Sequence, residues 1–465
     1  MRQSGSGGNR GIAVVELALA LAAIGALTMT VLRDLPVHAS PYAASDLKTL
    51  YASASCMRHG QSAYDFANLQ RVFQAQGIAP PPSWYGHAPV YPPMTVAMLV
   101  PLTFLSMAQA AYLMTAVYAL LMVCAVCAVL RYGEETFGLT LGWKAVIVAM
   151  FAMAPLLAFG LSVGNPSIPA AALCMLAFVR RSRGWVWGSA IALGLALLLK
   201  PHLALWMLVA MALLPERRGR AVAWRGAVVA FVAGGLALLA VAGGHAGMQM
   251  TGCLHMVRAE VAPGGSMNVG SHEPLFVASQ ITSLESVLGF WSTSALAVVA
   301  TVMVLVAVAA VLVWETRRGM GERRALLAAG AWCALGLLTT YHRAHDATLL
   351  LVLAPWVVDR LRRDARSWQP WAVLAIYAAM SVGPQWESVR AAADEGRSLL
   401  GFAVMRQAGL ADMALLAVLL ATMMVESRRA VTIRLEPFRV PQSGSAYQKA
   451  VRTVTPSEVT ATTSQ

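Results

Sequence analysis

The chain has 465 residues, of which 58% are hydrophobic and 12% are charged, and its formal net charge is +13. A soluble domain carries about 25% charged residues, so this composition excludes an ordinary soluble protein. The positive charge does not indicate nucleic-acid binding, because the Arg and Lys residues are grouped at the ends of apolar segments, where membrane proteins carry the charges that set their orientation. The apolar runs are long enough to cross the hydrocarbon as helices. We therefore predict an all-α polytopic membrane protein.

The predicted elements begin with a span over residues 11–31, which follows Arg2 and Arg10 and is interpreted as an uncleaved anchor with a cytoplasmic N-terminus. The stretch at 32–110 is predicted to be the first outer loop and to contain interfacial helices. Apolar segments then follow at about 93–106, 111–130, 145–162, 166–179, 185–199, 202–214, 226–244, 291–313, 325–340, 347–358, 370–383 and 409–425.

The distribution of basic residues limits how many of these segments cross. If every segment crossed, Arg180, Arg181 and Arg183 could not share a side with the N-terminus. The segment at 93–106 is short and begins next to Pro92, so we predict that it lies at the outer interface and that about twelve transmembrane helices remain. In this arrangement most of the 35 Lys and Arg residues lie inside, and all nine histidines lie outside.

The remaining organisation follows from the same arrangement. Residues 111–426 are predicted to form the transmembrane bundle, with an outer loop at 245–290, and residues 427–465 are predicted to be a disordered cytoplasmic tail. Cys56 and Cys253 both fall in predicted outer loops, where they form either a disulfide or two free thiols.

The first outer loop also carries the most informative acid, Asp46. A carboxylate close to the interface can accept a proton from a hydroxyl nucleophile while the other substrate stays in the lipid. Asp34 and Asp65 compete for this role, and on spacing alone a solvated loop carboxylate is the better explanation for any one of the three acids.

Several short motifs occur in a fixed order along the chain. They are Asp46, Tyr51, Gly60, Tyr64, Tyr91-Pro92-Pro93 and Pro101-Leu102 in the first loop, then Gly164-Asn165, the Gly-rich helix that ends in Lys200-Pro201, and Tyr341-His342-Arg343-Ala344-His345-Asp346. Together they resemble glycosyltransferase family 87, whose members have the GT-C fold and use polyprenyl-phosphate sugars. Asn165 departs from the pattern, since Gln is common at that position.

The resemblance implies an inverting hexosyltransferase, mannosyltransferase-like, with a polyprenyl-phosphate sugar donor, a lipid or glycan acceptor and no metal or cofactor. It places the enzyme in the cytoplasmic (inner) membrane, with the active site on the extracytoplasmic side. The implied roles are catalysis by Asp46 and His345, donor-phosphate binding by Lys200, Arg343 and His342, and substrate contacts by Tyr51, Tyr91 and Asn165. His345 is favoured over His342 because an apolar run follows it.

Simpler interpretations remain open for some of these residues. Lys200 can be an interface anchor, and the tyrosines can form an interfacial aromatic belt. A transporter or flippase of lipid-linked glycans is the main alternative function, but the sequence shows no internal repeat of the kind that such proteins carry. An oligosaccharide ligase or polymerase usually has a large outer loop late in the chain, whereas the largest loop predicted here is early. The oligomeric state is not determined by the sequence.

Overall fold

The computed structural model describes residues 6–33, 40–41, 43–80, 89–261, 284, 287, 295–319, 321–339, 342–381, 403 and 406–435. Nearly all of these residues are helical and no β-strand is among them, which confirms the predicted all-helical class. The α-helices are α1 Ser6–Arg33, α2 Ser45–Arg58, α3 Phe66–Ala75, α4 Pro93–Met98, α5 Met107–Phe137, α6 Leu141–Ala152, α7 Pro155–Val163, α8 Ser167–Arg181, α9 Val186–Leu199, α10 Pro201–Leu213, α11 Arg217–Ala242, α12 Ala246–Val261, α13 Ala295–Arg318, α14 Glu322–Thr339, α15 Ala354–Arg363, α16 Trp368–Ser381 and α17 Gln407–Leu435. The 3₁₀ segments are Val100–Phe104, Gly243–His245 and Ala344–Leu353.

Among the described helices, five are long and apolar enough to cross a membrane, and a sixth span results if the bent pair α6 and α7 is counted as one. The axes of α6 and α7 differ by 45°. The chain is therefore a multi-pass membrane protein. The helices α9 and α10 are apolar but shorter than a full span, so the expectation of about twelve spans stays a prediction.

The helices follow the apolar segments closely, and they differ where polar residues continue a helix. For α5 the apolar pattern predicts 111–130, but the helix runs from Met107 to Phe137. It begins at a capping box formed by Ser106 and Gln109, and it ends at Gly138, whose φ of 67° reverses the chain. Hydropathy therefore located the apolar core of the helix and missed its charged last turns.

Two predicted regions, whose limits stay predictions, contain further helical turns. The predicted outer loop at 245–290 begins with a 3₁₀ turn and α12, because residues 246–261 are mostly good helix formers. The predicted tail at 427–465 begins with the last turns of α17, which ends at Leu435. The Gly-rich part of the loop and the rest of the tail lie outside the described residues.

The Arg-rich helix ends are joined to one another by ion pairs. Arg181 lies 2.7 Å from Glu216 and 3.1 Å from Glu322. The side chain of Asp359 binds three arginines, namely Arg323, Arg362 and Arg363. Exposed tryptophans occur near the same helix ends, as expected of side chains at a membrane interface; they are Trp185, Trp187, Trp224, Trp314, Trp368 and Trp371.

One ion pair is buried between α1 and α6. Glu16 binds Lys144, whose ammonium also lies 2.5 Å from Glu134 at the end of α5. Glu16 therefore faces neighbouring helices, as the simpler sequence interpretation expected, and its charge is neutralised inside the protein.

The helices of the first loop, α2, α3 and α4 with the 3₁₀ segment Val100–Phe104, form what we call the first-loop layer. Side-chain hydrogen bonds to backbone groups hold it together. The hydroxyl of Tyr51 donates to the carbonyl of Leu105 at 2.7 Å, and that of Tyr64 donates to the carbonyl of Tyr91 at 2.7 Å. Gln249 of α12 is buried and accepts a hydrogen bond from the backbone of Ala63 at 3.0 Å. All six cysteines are free, so Cys56 and Cys253 form no disulfide.

Candidate active site

The first turn of α2 is fixed against the turn between α7 and α8. The backbone N–H of Ala44, which precedes α2, donates to the carbonyl of Ser162 at 2.9 Å. Gly164 has a φ of +66°, and a Cβ atom there would lie 2.8 Å from the Cβ of Leu47. Only glycine meets both conditions without strain. This close approach puts Asp46 beside Asn165.

Asn165 connects Asp46 to the rest of the site. Its Nδ2 donates to Oδ2 of Asp46, and its Oδ1 accepts from the backbone N–H of Ser167 at 2.8 Å and from Nζ of Lys200 at 3.1 Å. Bonds of this kind from an Asn to the backbone two residues later are typical of the turn that starts a helix. The side chain of Asn165 therefore both stabilises the turn that starts α8 and joins Asp46 to Lys200.

Lys200 occupies the break between α9 and α10, where the following Pro201 cannot continue the first helix. Its ammonium is buried and donates to Oδ1 of Asp346 at 2.6 Å, to Oγ of Ser167 and to Asn165. An ammonium has three N–H donors, so all of them are used. Lys200 does not extend to lipid headgroups as an interface anchor would, because its amine is buried and bonded within the protein.

Asp346 is the residue that the sequence analysis did not include among the site residues. It lies in the first turn of the 3₁₀ segment Ala344–Leu353 and is buried. Its Oδ2 lies 2.8 Å from Nδ1 of His342, and its Oδ1 lies 3.6 Å from Nε2 of His345. The signal for it was an acid inside a run of basic residues directly before an apolar segment.

The two carboxylates of the site, Asp46 and Asp346, differ in burial and in hydrogen-bond partners. Asp346 is enclosed by Lys200 and His342, whereas Asp46 is partly exposed, and among the described residues only Asn165 donates a hydrogen bond to it. Partial burial raises the pKa of the Asp46 carboxyl, against the opposing effects of the positive charge of Arg343 and the bond from Asn165. A raised pKa in a reachable carboxylate is typical of a general base.

The family model of glycosyltransferase family 87 matches residues 90–340, which is more than half of the chain. The chain belongs to glycosyltransferase family 87. It is therefore a membrane glycosyltransferase with a sugar donor and an acceptor. Asn165 and Lys200 lie inside the matched range, while Asp46 and Asp346 lie outside it. Comparisons with curated proteins and with solved structures found no match.

Most of the predicted site residues of this family 87 glycosyltransferase are brought together. Lys200, His342 and His345 bond to Asp346 or closely approach it, and Asn165 joins Lys200 to Asp46. Arg343 is half-buried, and its charge acts on Asp46.

The two predicted tyrosine ligands are placed differently. Tyr51 and Tyr91 are buried, and the bonds of Tyr51 and of the Tyr91 carbonyl belong to the packing of the first-loop layer. Their contact with substrate stays a prediction.

Three side chains of the family 87 enzyme have the composition of a metal site. The ligand atoms of His202, His342 and Asp346 lie within 4.8 Å of one another, and the rings of the two histidines are 4.8 Å apart. Imidazole and carboxylate ligands suit zinc and similar ions. The ammonium of Lys200 already supplies positive charge to Asp346. The expectation that no metal is required stays a prediction.

Proposed function

We propose that this enzyme transfers a hexose, mannose by family resemblance, from a polyprenyl-phosphate donor to a hydroxyl of a lipid or glycan acceptor. The observation that carries the proposal is that the two carboxylates of the site, Asp46 and Asp346, have different surroundings. One acid is reachable and has a raised pKa, and a single asparagine joins it to a buried lysine that is paired with a second acid. Such pairs of differently tuned groups mark acid–base roles.

In the proposed reaction Asp46 is the general base. Its free carboxylate oxygen accepts the proton of the acceptor hydroxyl as that oxygen forms a bond to C1 of the sugar. The bond between C1 and the phosphate oxygen breaks in the same displacement, so the configuration at C1 inverts. Asn165 holds Asp46 in position, because its amide donates to the other carboxylate oxygen.

The departing polyprenyl phosphate carries the negative charge and needs cationic partners. Arg343 is half-buried and its charge already reaches Asp46, so we assign the direct phosphate contact to Arg343. Lys200 uses its three donors within the protein, and its contribution to the phosphate is therefore the electrostatic one of a buried charge behind the site. His342 and His345 are buried beside these groups and contact Asp346, so we assign them a hydrogen-bonding role and not a charged one.

The charge distribution supports a proposal for the side of the membrane. The Arg-rich helix ends, with their exposed tryptophans, lie at the opposite ends of α8 and α9 from Asn165 and Lys200. Basic helix ends face the cytoplasm in most membrane proteins. We therefore propose that the site faces the extracytoplasmic side of the cytoplasmic membrane.

The test replaces Asp46 by Asn, which keeps the size of the side chain and can still bond to Asn165. Transfer of labelled sugar from polyprenyl phosphate to endogenous acceptors in isolated membranes is expected to fall about 10²- to 10⁴-fold, the usual effect of losing a general base. The matched control is Asp65→Asn. Asp65 is an exposed acid of the same loop that caps α3, and Asn is an equally good cap.

Full transfer activity in the Asp46→Asn variant would remove the assigned base. Equal losses in both variants would show that the loop, and not one carboxylate, is required. Uptake of a solute into vesicles without any glycan product would favour the transporter alternative.

A further inference from the structure

A groove lies on the membrane-facing side of the molecule, away from the candidate active site. It has a volume of about 540 Å³ and is lined mainly by α1 and α5. Its apolar wall includes Val14, Leu17 and Leu120, whose side chains are exposed. An exposed apolar wall of this kind, in a helix that crosses the membrane, is in contact with acyl chains.

The groove is basic at one end. Arg131 of α5 and Arg180 at the end of α8 line it together with Arg183. The charge of Arg183 is taken up by Glu135, with two bonds of 2.8 Å. Arg131 and Arg180 form no ion pair with any described residue of the chain.

The one acid in the lining does not cancel these charges. Glu16 is buried and is neutralised by Lys144, to which it is bonded. The groove therefore has a net positive end, supplied by two arginines, next to an apolar channel.

The basic end lies at the level of the lipid headgroups. The guanidinium of Arg180 is 5.7 Å from the ring centre of Trp185, which is 63% exposed. Exposed tryptophans on membrane proteins mark the headgroup region. A molecule in the groove would therefore place an anionic group beside the arginines and a hydrocarbon chain along α1 and α5.

We infer that this groove binds an anionic phospholipid of the leaflet that faces the Arg-rich helix ends. The phosphate would lie between Arg131 and Arg180, and one acyl chain would lie against Val14, Leu17 and Leu120. Basic pockets between transmembrane helices bind anionic headgroups in this way. The inference does not depend on the proposed sugar-transfer reaction.

The experiment measures binding of phosphatidylglycerol and of phosphatidylcholine to the purified full-length protein by native mass spectrometry. We expect one phosphatidylglycerol per chain to be retained in preference to phosphatidylcholine. The double variant Arg131→Gln/Arg180→Gln is expected to bind phosphatidylglycerol about 25-fold more weakly, since each arginine near a charged headgroup contributes about a factor of five. The control Arg217→Gln/Arg220→Gln removes two exposed charges from the start of α11, outside the groove.

A second variant, Leu17→Trp, fills the apolar wall and keeps both arginines, so it tests the groove even if the double variant does not fold. It is expected to reduce phosphatidylglycerol binding, whereas the control Arg217→Gln/Arg220→Gln is expected to bind phosphatidylglycerol as the unchanged protein does. The inference would be overturned by equal binding of the two phospholipids, by equal effects of the two double variants, or by displacement of phosphatidylglycerol by polyprenyl phosphate, which would identify a different occupant.

Discussion

At the scale of single residues, burial and bonding separate the two acids of the site. Asp346 binds Lys200 and His342, so its charge is committed to holding the basic groups. Asp46 keeps an oxygen that accepts no bond from the described residues, and it is partly exposed. The sequence put Asp46 forward through a family resemblance, but it could not show that a second acid organises the bases opposite it.

The raised pKa of Asp46 predicts the acid side of the pH profile. The base acts only as a carboxylate, so activity rises as the pH rises through the pKa of Asp46. Because burial raises this pKa, half-maximal activity is expected above pH of about 3.9, the ordinary value for Asp. The measurement is the rate of sugar transfer as a function of pH at saturating donor.

A variant distinguishes Asp46 from other groups that titrate in this range. The positive charge of Arg343 lowers the pKa of Asp46, so Arg343→Gln is expected to move the acid limb to higher pH, in addition to weakening donor binding. An acid limb that stays in place in Arg343→Gln, or that persists in the residual activity of Asp46→Asn, would assign the titration to another residue.

At the scale of elements, the site depends on helix ends that meet. Asp46 lies in the first turn of α2, Asn165 lies between α7 and α8, and Lys200 lies between α9 and α10. Each interruption has a local cause that the sequence shows, namely Gly164 and the prolines that follow Asn165 and Lys200. The sequence therefore predicted both breaks, but it did not predict how closely α2 approaches the break at Gly164.

The contact between α2 and Gly164 predicts the effect of one added methyl group. Gly164→Ala requires a left-handed backbone at a residue with a Cβ and a contact of 2.8 Å with Leu47. We expect a loss of stability of about 1–3 kcal/mol. Sugar transfer should also fall at least about tenfold, because a shift of α2 separates Asp46 from Asn165 and small displacements of catalytic groups are costly. Thermal unfolding in detergent and the transfer assay measure the two effects.

Gly138→Ala is the matched control for this prediction. Gly138 has a φ of +67°, like Gly164, but a Cβ there has no neighbour within 4 Å and the residue ends α5 at the other end of the bundle. The control should lose stability through backbone strain and keep its activity per folded molecule. If both variants lose activity equally, strain alone and not the contact with α2 explains the effect.

At the scale of the whole molecule, the charged groups are divided between two ends of the helices. The pairs of Arg181 with Glu216 and of Asp359 with Arg323 lie at the Arg-rich ends, and the candidate site lies at the others. This separation is what the positive-inside rule predicts for a site that faces away from the cytoplasm. The side of the membrane on which each end lies, and the number of crossings, stay predictions.

Labelling with a membrane-impermeant maleimide tests the orientation. In a background without the six native cysteines, His59→Cys is expected to react in intact cells, because His59 is exposed at the end of α2. Arg217→Cys, exposed at the start of α11, is expected to react only after the membrane is opened. The reverse pattern would place the candidate site in the cytoplasm and contradict the proposed use of an extracytoplasmic donor.

The sequence by itself determined the helical class, the positions of the apolar helices and the residues at their breaks, because hydropathy, proline and glycine act through the local chain. The tertiary structure alone decided which of the polar residues meet. Asp46, Lys200 and Asp346 are more than one hundred residues apart in the chain. Packing of the later helices brings Lys200 within bonding distance of Asp346, and packing of α2 against them brings Asp46 to Asn165, which also binds Lys200. It also decided that Tyr51 is bonded within the first-loop layer and that Lys200 is buried, since the burial of a side chain depends on neighbours that the local sequence does not contain.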